Sequence, residues 1–160
     1  LNGHAVEARV YAENPTRNFM PSVGRISTWR MPTEAGGLRI DAGYREGDTV
    51  SPYYDAMLAK VIAWAPTRDG AIERLNRGLE EADVRGIVTN VPFLSALITH
   101  PEVRANAIDT GFIERELAAL TAAAPAPASS AAKEVVLTPK MSRMDRISTM
   151  FSSTLRMERR

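Results

Sequence analysis

The sequence predicts an α+β fold in which an antiparallel sheet is followed by packed helices. Up to Trp64 the chain consists of short strand-like runs separated by turn residues. Beyond Thr67 the apolar residues recur at helical spacing instead. Because the strands come as one block before the helices, an α+β fold is favoured over an alternating, parallel α/β fold.

The strands are predicted from apolar runs bounded by polar turns. The first alternates apolar with charged residues, as a strand with one buried face does, and the last is the most apolar and predicts a buried strand. Turn residues at Glu13 to Asn18, and glycines further on, separate them. The predicted strands are His4 to Tyr11, Arg25 to Arg30, Leu38 to Asp41, a short one opening at Thr49-Val50, and Met57 to Trp64.

The helices are predicted from caps and apolar periodicity. Thr67 is a suitable cap for a helix that begins near Arg68 and is stopped by Gly86. Its apolar face is formed by Ala71, Ile72, Leu75 and Leu79. Three further helices are predicted: one capped by Thr89 or Asn90 with Pro92 in its first turn, a short one from Pro101, and one capped by Asp109 or Thr110 that runs through Leu120.

The composition divides the chain into a domain at residues 1–120, an Ala/Pro/Ser linker at 121–132 and a basic tail at 133–160. Apolar residues of the tail recur at helical spacing between arginines, which suits a basic amphipathic helix for a membrane surface or an acidic partner. A disordered end, a helix docked on the domain or an artefactual sequence explains the tail better. The apolar residues concerned are Met141, Met144, Ile147, Met150, Phe151 and Leu155.

Composition and motifs exclude several kinds of function. The 160 residues carry a formal net charge of +1 and contain no cysteine, which argues against nucleic-acid binding and excludes disulfides. No apolar run approaches the roughly 20 residues that span a bilayer. The two histidines, His4 and His100, lie far apart and do not indicate a metal site. Neither a glycine-rich phosphate loop nor a nucleophile elbow is present.

Two features have possible chemical use. Glu7 and Arg9 lie two positions apart on a strand and hence on one face, where the arginine can offer its planar fork to a carboxylate, bicarbonate or carbonyl oxygen. Asp55 follows two tyrosines at the entrance to the last strand and can line a cleft. On pattern alone, a solvated ion pair explains the first feature better, and a local turn explains the second.

Longer runs of the sequence resemble the C-terminal domain of biotin carboxylases. The resemblance covers roughly residues 1 to 120, in the order and spacing of that family, and is nearest to the α subunits of acyl-CoA carboxylases. Pyruvate carboxylase and free-standing bacterial biotin carboxylase are close alternatives. The runs are GHAVEARVYAENP (3–15), FMPSVGRI (19–26), GLRIDAGYREGDTVSPYYDAMLAKVIAW (37–64), RGIVTNVPFL (85–94) and TGFIE (110–114).

The resemblance implies ATP-dependent carboxylation of biotin by bicarbonate. It assigns to Arg9 contact with the biotin ureido oxygen and the bicarbonate region, and to Asp55 the orientation of Arg9. Glu7 keeps a structural role. Gly36, Gly37 and Arg39 match the segment from which the family builds its dimer, so Arg39 is expected at a homodimer interface rather than in catalysis.

The resemblance also implies what must come from elsewhere. ATP, Mg²⁺ and the catalytic base belong to an N-terminal ATP-grasp half, and the start at Leu1 suggests a cut inside a longer protein. We therefore expect the chain alone to be inactive. Its expected partners are that half, a biotin carrier domain that presents biotin as substrate, and a carboxyltransferase subunit, in the cytoplasm. Lys140 lacks the Ala-Met of a biotin-attachment signature and is not expected to be biotinylated. The alternative is a non-catalytic dimerisation or interaction module derived from this domain.

Overall fold

A computed structural model describes residues 2–124 and the backbone of residues 155–158. The described helices and strands confirm the α+β class. The strands are β1 (His4–Tyr11), β2 (Glu13–Asn14), β3 (Met20–Pro21), β4 (Gly24–Arg25), β5 (Thr28–Arg30), β6 (Leu38–Ala42), β7 (Thr49–Val50), β8 (Met57–Ala65), β9 (Asp83–Arg85) and β10 (Leu155–Glu158). The helices are α1 (Arg68–Glu81), α2 (Val91–Thr99), α3 (Pro101–Arg104) and α4 (Phe112–Ala123), and a 3-10 turn spans Pro15–Arg17.

The main sheet is antiparallel and has the strand order β10-β1-β8-β6. The inner face of β1 carries Val6, Ala8 and Val10, which are almost completely buried. These residues and the apolar residues of β8 pack against α1 and α2 in one hydrophobic core. Alternation along β1 therefore sends its charged residues to the outer face, as the sequence predicted.

Residues 25–30 do not form the one continuous strand that the sequence predicted. Arg25 pairs with Thr49 across the β4–β7 ladder, whereas Thr28–Arg30 pairs with β9. Between them Ile26 is buried and exchanges main-chain hydrogen bonds with Asp48 and Gly47. The chain changes partner at this point, and the strand divides in two.

Helix α1 begins at Arg68, as its cap predicted, but ends earlier than the sequence predicted. The Thr67 side chain accepts a hydrogen bond from the Gly70 N–H at 3.1 Å, which is the capping role expected of threonine. The helix ends at Glu81 rather than at Gly86, because Asp83–Arg85 pairs with β5 as β9. Gly86 follows with φ +96°, and a Cβ there would collide with the Arg25 carbonyl oxygen.

A second hydrophobic cluster joins the C-terminal helices to the loop before β3. Phe112 is fully buried in it, and Phe19 meets Phe93 edge-on with ring centroids 5.3 Å apart. Helix α4 begins at Phe112, later than the predicted cap positions, because Asp109 accepts a hydrogen bond from Gly111 N–H in a turn before the helix. The cluster comprises Phe19, Phe93, Leu97, Val103, Phe112, Ile113 and Leu120.

The predicted linker and tail are described in part. Helix α4 continues through Ala123, so the first residues assigned to the linker are helical. Residues 125–154, with Lys140 and most of the predicted amphipathic helix, lie outside the described residues. Leu155–Glu158 forms a strand antiparallel to β1 at residues Ala5–Ala8, where the helical spacing had placed the end of a helix.

Candidate functional site on the outer face of the sheet

Among residues 2–124, five charged side chains share the outer face of the main sheet, and we call this group the charged face: Glu7, Arg9, Arg39, Asp41 and Lys60. The strand register brings them together. Arg9 on β1 lies directly opposite Lys60 on β8, and Lys60 lies opposite Asp41 on β6. Residues directly opposite each other in an antiparallel pair project to the same side of the sheet. The face therefore combines three cations with two carboxylates.

Arg9 is held by Glu7 along its own strand. The Arg9 Nε–H donates to Glu7 Oε1 at 3.1 Å, and the Arg9 side chain is 27% exposed. This bond raises the pKa of Arg9 above its ordinary value, against a lowering by partial burial, with Tyr11 adding to the increase. Like any arginine side chain, the guanidinium is charged at neutral pH. It has five N–H donors in a fixed planar fork, so the bond to Glu7 leaves donor capacity for an incoming oxygen ligand.

Asp41 holds the other two cations in place. Its carboxylate accepts from Arg39 Nε at 2.8 Å and lies 3.0 Å from Lys60 Nζ. The hydrogen bond from Arg39, followed by that from Lys60, lowers the pKa of Asp41 below its ordinary value. Asp41 thereby holds the Lys60 ammonium group on the charged face, on the strand next to the one that carries Arg9.

The structure gives Asp55 a local bond. Its Oδ1 accepts from the Met57 N–H at 3.0 Å, and Asp55 lies with the exposed Tyr53 and Tyr54 in the loop before β8. Among the described residues, the carboxylate that bonds Arg9 is Glu7. Orientation of Arg9 by Asp55 thus remains a prediction, and Glu7 takes the orienting contact that sequence reasoning had treated as structural.

The glycine pair before β6 has a local backbone role. Gly36 and Gly37 have φ +58° and +92°, in the left-handed region that favours glycine. At Gly37 an added Cβ would meet the Trp64 carbonyl oxygen at 2.7 Å. Arg39 is 71% exposed and bonded to Asp41. The predicted dimer interface through Gly36, Gly37 and Arg39 remains a prediction.

Two residues near Arg9 were missed by sequence reasoning. Lys60 is the single charged residue of β8, and that isolated charge in an apolar strand was an available signal. Asn90 was predicted, with Thr89 as the alternative, to cap α2, and it does occupy the N-cap position. Its side chain makes no cap bond and instead reaches β1, accepting from the Tyr11 N–H at 2.8 Å and donating to the Arg9 carbonyl oxygen at 3.2 Å.

The described residues offer neither a metal centre nor a membrane span. Among residues 2–124, no group of three or more histidine, aspartate or glutamate side chains converges on a possible metal position. Within the same part of the chain, the helices are too short and too polar to cross a bilayer. On the charged face, the cationic groups of Arg9 and Lys60 can bind anionic or carbonyl oxygens.

Comparison with known proteins identifies the kind of domain that carries this face. Residues 7–115 match the family model described as the biotin carboxylase C-terminal domain. The chain belongs to this family, whose members form part of biotin-dependent carboxylases.

Individual relatives agree with this assignment. The chain is 43% identical over 113 residues to the mitochondrial methylcrotonoyl-CoA carboxylase subunit alpha of Dictyostelium discoideum, covering 71% of this chain and 16% of that protein. It is 42% identical over 125 residues to the biotin carboxylase of Halalkalibacterium halodurans, covering 78% and 27%.

A solved structure with the same fold is the biotin carboxylase domain dimer of 2-oxoglutarate carboxylase from Hydrogenobacter thermophilus, in complex with MgADP, ADP and bicarbonate. It superposes with a TM-score of 0.72 at 31% identity, covering 75% of this chain and 26% of that one. The chain thus spans about a sixth to a quarter of the length of these three proteins.

Proposed function

We propose that this chain supplies Arg9 to the biotin and bicarbonate site of a biotin carboxylase, within an acyl-CoA carboxylase or a related enzyme. The supporting observation is the placement of Arg9: a fully charged, partly exposed guanidinium on a rigid strand, bonded to Glu7 and directly opposite Lys60. Bicarbonate in the Hydrogenobacter relative agrees with an anion-binding role for this family.

The chemistry of biotin carboxylation requires such a group. The ureido nitrogen of biotin becomes nucleophilic when negative charge develops on the ureido oxygen. A preorganised guanidinium that donates hydrogen bonds to this oxygen stabilises the charge as it forms. The same planar fork suits bicarbonate, whose oxygens can accept two parallel N–H bonds. Arg9 therefore binds and polarises the substrate, while Glu7 holds the guanidinium in place.

ATP and Mg²⁺ do not fit the residues that the structure describes. The sequence has no glycine-rich phosphate loop, and the donor sets of residues 2–124 do not form a metal site. Positioning of phosphates and metal accounts for most of the catalysis of phosphoryl transfer. We assign these tasks to an ATP-grasp half of the parent enzyme, and the chain alone has no carboxylase activity. The parent works with a biotin carrier domain and a carboxyltransferase and forms a homodimer through the segment from Gly36 to Arg39.

Reconstitution tests this proposal. The chain is joined to the part of the Halalkalibacterium halodurans biotin carboxylase that precedes the matching region, and biotin-dependent ATP cleavage is measured in bicarbonate. We expect activity in the fusion and none in the chain alone. Arg9→Ala should lower the rate about 100-fold, the typical loss for one oxyanion donor. The matched control is Arg45→Ala, which removes an arginine that is 87% exposed and lies outside the charged face.

The outcomes distinguish the two hypotheses for this domain, a part of a carboxylase site and a dimerisation or interaction module. A folded, dimeric fusion in which Arg9→Ala retains the parental rate would remove the proposed role of Arg9. A fusion that assembles without any biotin-dependent activity would favour the alternative, a dimerisation or interaction module derived from this domain.

A further inference from the structure

Asn90 is a buried polar residue bonded to the strand that carries Arg9. It is 0% exposed and precedes α2, far from β1 in sequence. Three hydrogen bonds join it to β1. Its Oδ1 accepts from the Tyr11 N–H at 2.8 Å, its Nδ2 donates to the Arg9 carbonyl oxygen at 3.2 Å, and its own N–H donates to the Tyr11 carbonyl oxygen at 3.1 Å.

These bonds replace part of a neighbouring strand. On one side β1 pairs with β8 along its whole length, while β10 pairs with residues Ala5 to Ala8. Asn90 bonds Arg9 and Tyr11, immediately beyond those residues. A side-chain amide has one carbonyl acceptor and N–H donors, so it can satisfy the strand as a peptide group does. The β1–β8 register shifts between Val10 and Tyr11, so Asn90 fixes the strand where its ladder is irregular.

The chemistry of the contact requires an amide. An aspartate can accept from the Tyr11 N–H but, when ionised, cannot donate to the Arg9 carbonyl, and it would bury a charge. A leucine leaves both main-chain groups without this partner in the interior, which costs their full desolvation. Asparagine therefore serves strand geometry here, whereas a residue present for capping alone would direct its side chain at the start of α2.

We infer that Asn90 is a positioning residue for Arg9, an inference that rests on the proposed function of Arg9. Asn90 fixes the carbonyl of Arg9 itself and both main-chain polar groups of Tyr11. This sets the direction in which the Arg9 side chain leaves the strand toward the charged face. A displacement of about 1 Å at a substrate-binding group can cost on the order of 100-fold in rate.

The test compares Asn90→Leu and Asn90→Asp with Ser22→Ala. The control removes another side-chain hydrogen bond to the loop that carries Asn90, because the buried Ser22 accepts through its Oγ from the Val88 N–H at 2.9 Å. This bond does not involve Arg9 or Tyr11. In the fusion enzyme, Asn90→Leu should lower the biotin-dependent kcat at least 10-fold and leave the KM for ATP within 2-fold. Ser22→Ala should leave both values within 2-fold.

A double variant shows whether Asn90 acts through Arg9. If it does, adding Asn90→Leu to Arg9→Ala causes no further loss of rate, because residues that act through one another are not additive. Additive losses would assign Asn90 a general structural role and overturn the inference. If the leucine variant does not fold, Asn90→Asp, which keeps the side-chain size, takes its place in the kinetic comparison and in the double variant.

NMR of the 160-residue chain separates this inference from the proposed function. In Asn90→Leu the Arg9 Nε–H resonance should shift and the Tyr11 amide should exchange faster with solvent, while Ser22→Ala leaves both unchanged. Unchanged Arg9 and Tyr11 signals in both Asn90 variants would refute the positioning of Arg9 by Asn90. An Arg9→Ala enzyme that keeps the parental rate, in contrast, would refute the proposed function and leave the NMR result standing.

Discussion

Gly36 and Gly37 differ in what a methyl group would meet, and this difference can be tested. At Gly36 an added Cβ has open space, with no atom within 4 Å. At Gly37 it would lie 2.6 Å from Arg74 Nη1 and 2.7 Å from the Trp64 carbonyl oxygen. Those two atoms are themselves joined by a hydrogen bond that connects α1 to β8. Alanine at Gly37 must therefore displace a helix–sheet contact, whereas alanine at Gly36 disturbs only its own backbone.

The magnitudes follow from these contacts. A non-glycine residue in the left-handed region costs about 1–2 kcal/mol, part of which is offset because alanine restricts the unfolded chain by about 0.4–1 kcal/mol. Gly36→Ala should thus cost about 1 kcal/mol or less. Gly37→Ala adds loss of the bond from Arg74 to the Trp64 carbonyl, about 1.5 kcal/mol for a charged donor, and close contact with a main-chain oxygen. Its total cost should be about 3 kcal/mol.

Urea unfolding of the 160-residue chain measures both values, with tryptophan fluorescence from Trp29 and Trp64 as the signal. With an m-value of about 2 kcal/mol per molar urea, the two variants should differ in midpoint by about 1 M. Equal midpoints would refute the reasoning from backbone geometry. Sedimentation of the fusion enzyme then tests the interface prediction, because Gly36→Ala should weaken the dimer while leaving the fold almost unperturbed.

Three further predictions concern stability. Asp41, whose pKa is lowered by Arg39 and then Lys60, stabilises the fold above the ordinary aspartate pKa of about 3.9, and this contribution is lost as the pH falls through the lower folded value. Asp41→Asn should therefore lose less stability than the parent on acid titration, followed by circular dichroism. Phe112→Ala, at a fully buried site in the second cluster, should cost about 3–5 kcal/mol in urea unfolding. Thr67→Ala should cost about 1 kcal/mol through loss of the α1 cap, and an unchanged midpoint would contradict that role.

Local pattern was sufficient for the elements that bury one face. Strand β1 was predicted with both ends correct, and β8 differs from its prediction by one residue. Both were predictable because alternation in β1 and the apolar run in β8 indicate which side chains are buried. Thr67 was predicted as the cap of α1 because capping depends on residues three positions apart. Each of these features is determined by neighbours in sequence.

Pairings between distant segments were not predictable in this way. Strand β9 is three residues long, and its partner β5 lies more than 50 positions earlier. Such a short strand shows no apolar periodicity from which it could be predicted. The same pairing divided the predicted strand at Arg25 to Arg30 and ended α1 before Gly86. Asn90 stands at the predicted N-cap position of α2, but its side-chain bonds to Arg9 and Tyr11 were missed for the same reason, since they span 81 and 79 positions.

The candidate site shows how a sheet can hold a charged arginine side chain in a defined position. The period of a strand placed Glu7 and Arg9 on one face, and that much followed from sequence. The partners that define the site come from other strands and loops: Lys60 through the register of β8, and Asn90 through the loop before α2. Side chains on strands that are fixed on both sides hold binding geometry better than side chains on loops. Asp55 lies in a loop and accepts a hydrogen bond from the Met57 N–H, so its orientation of Arg9 stays a prediction, whereas Glu7 bonds Arg9 directly from the same strand.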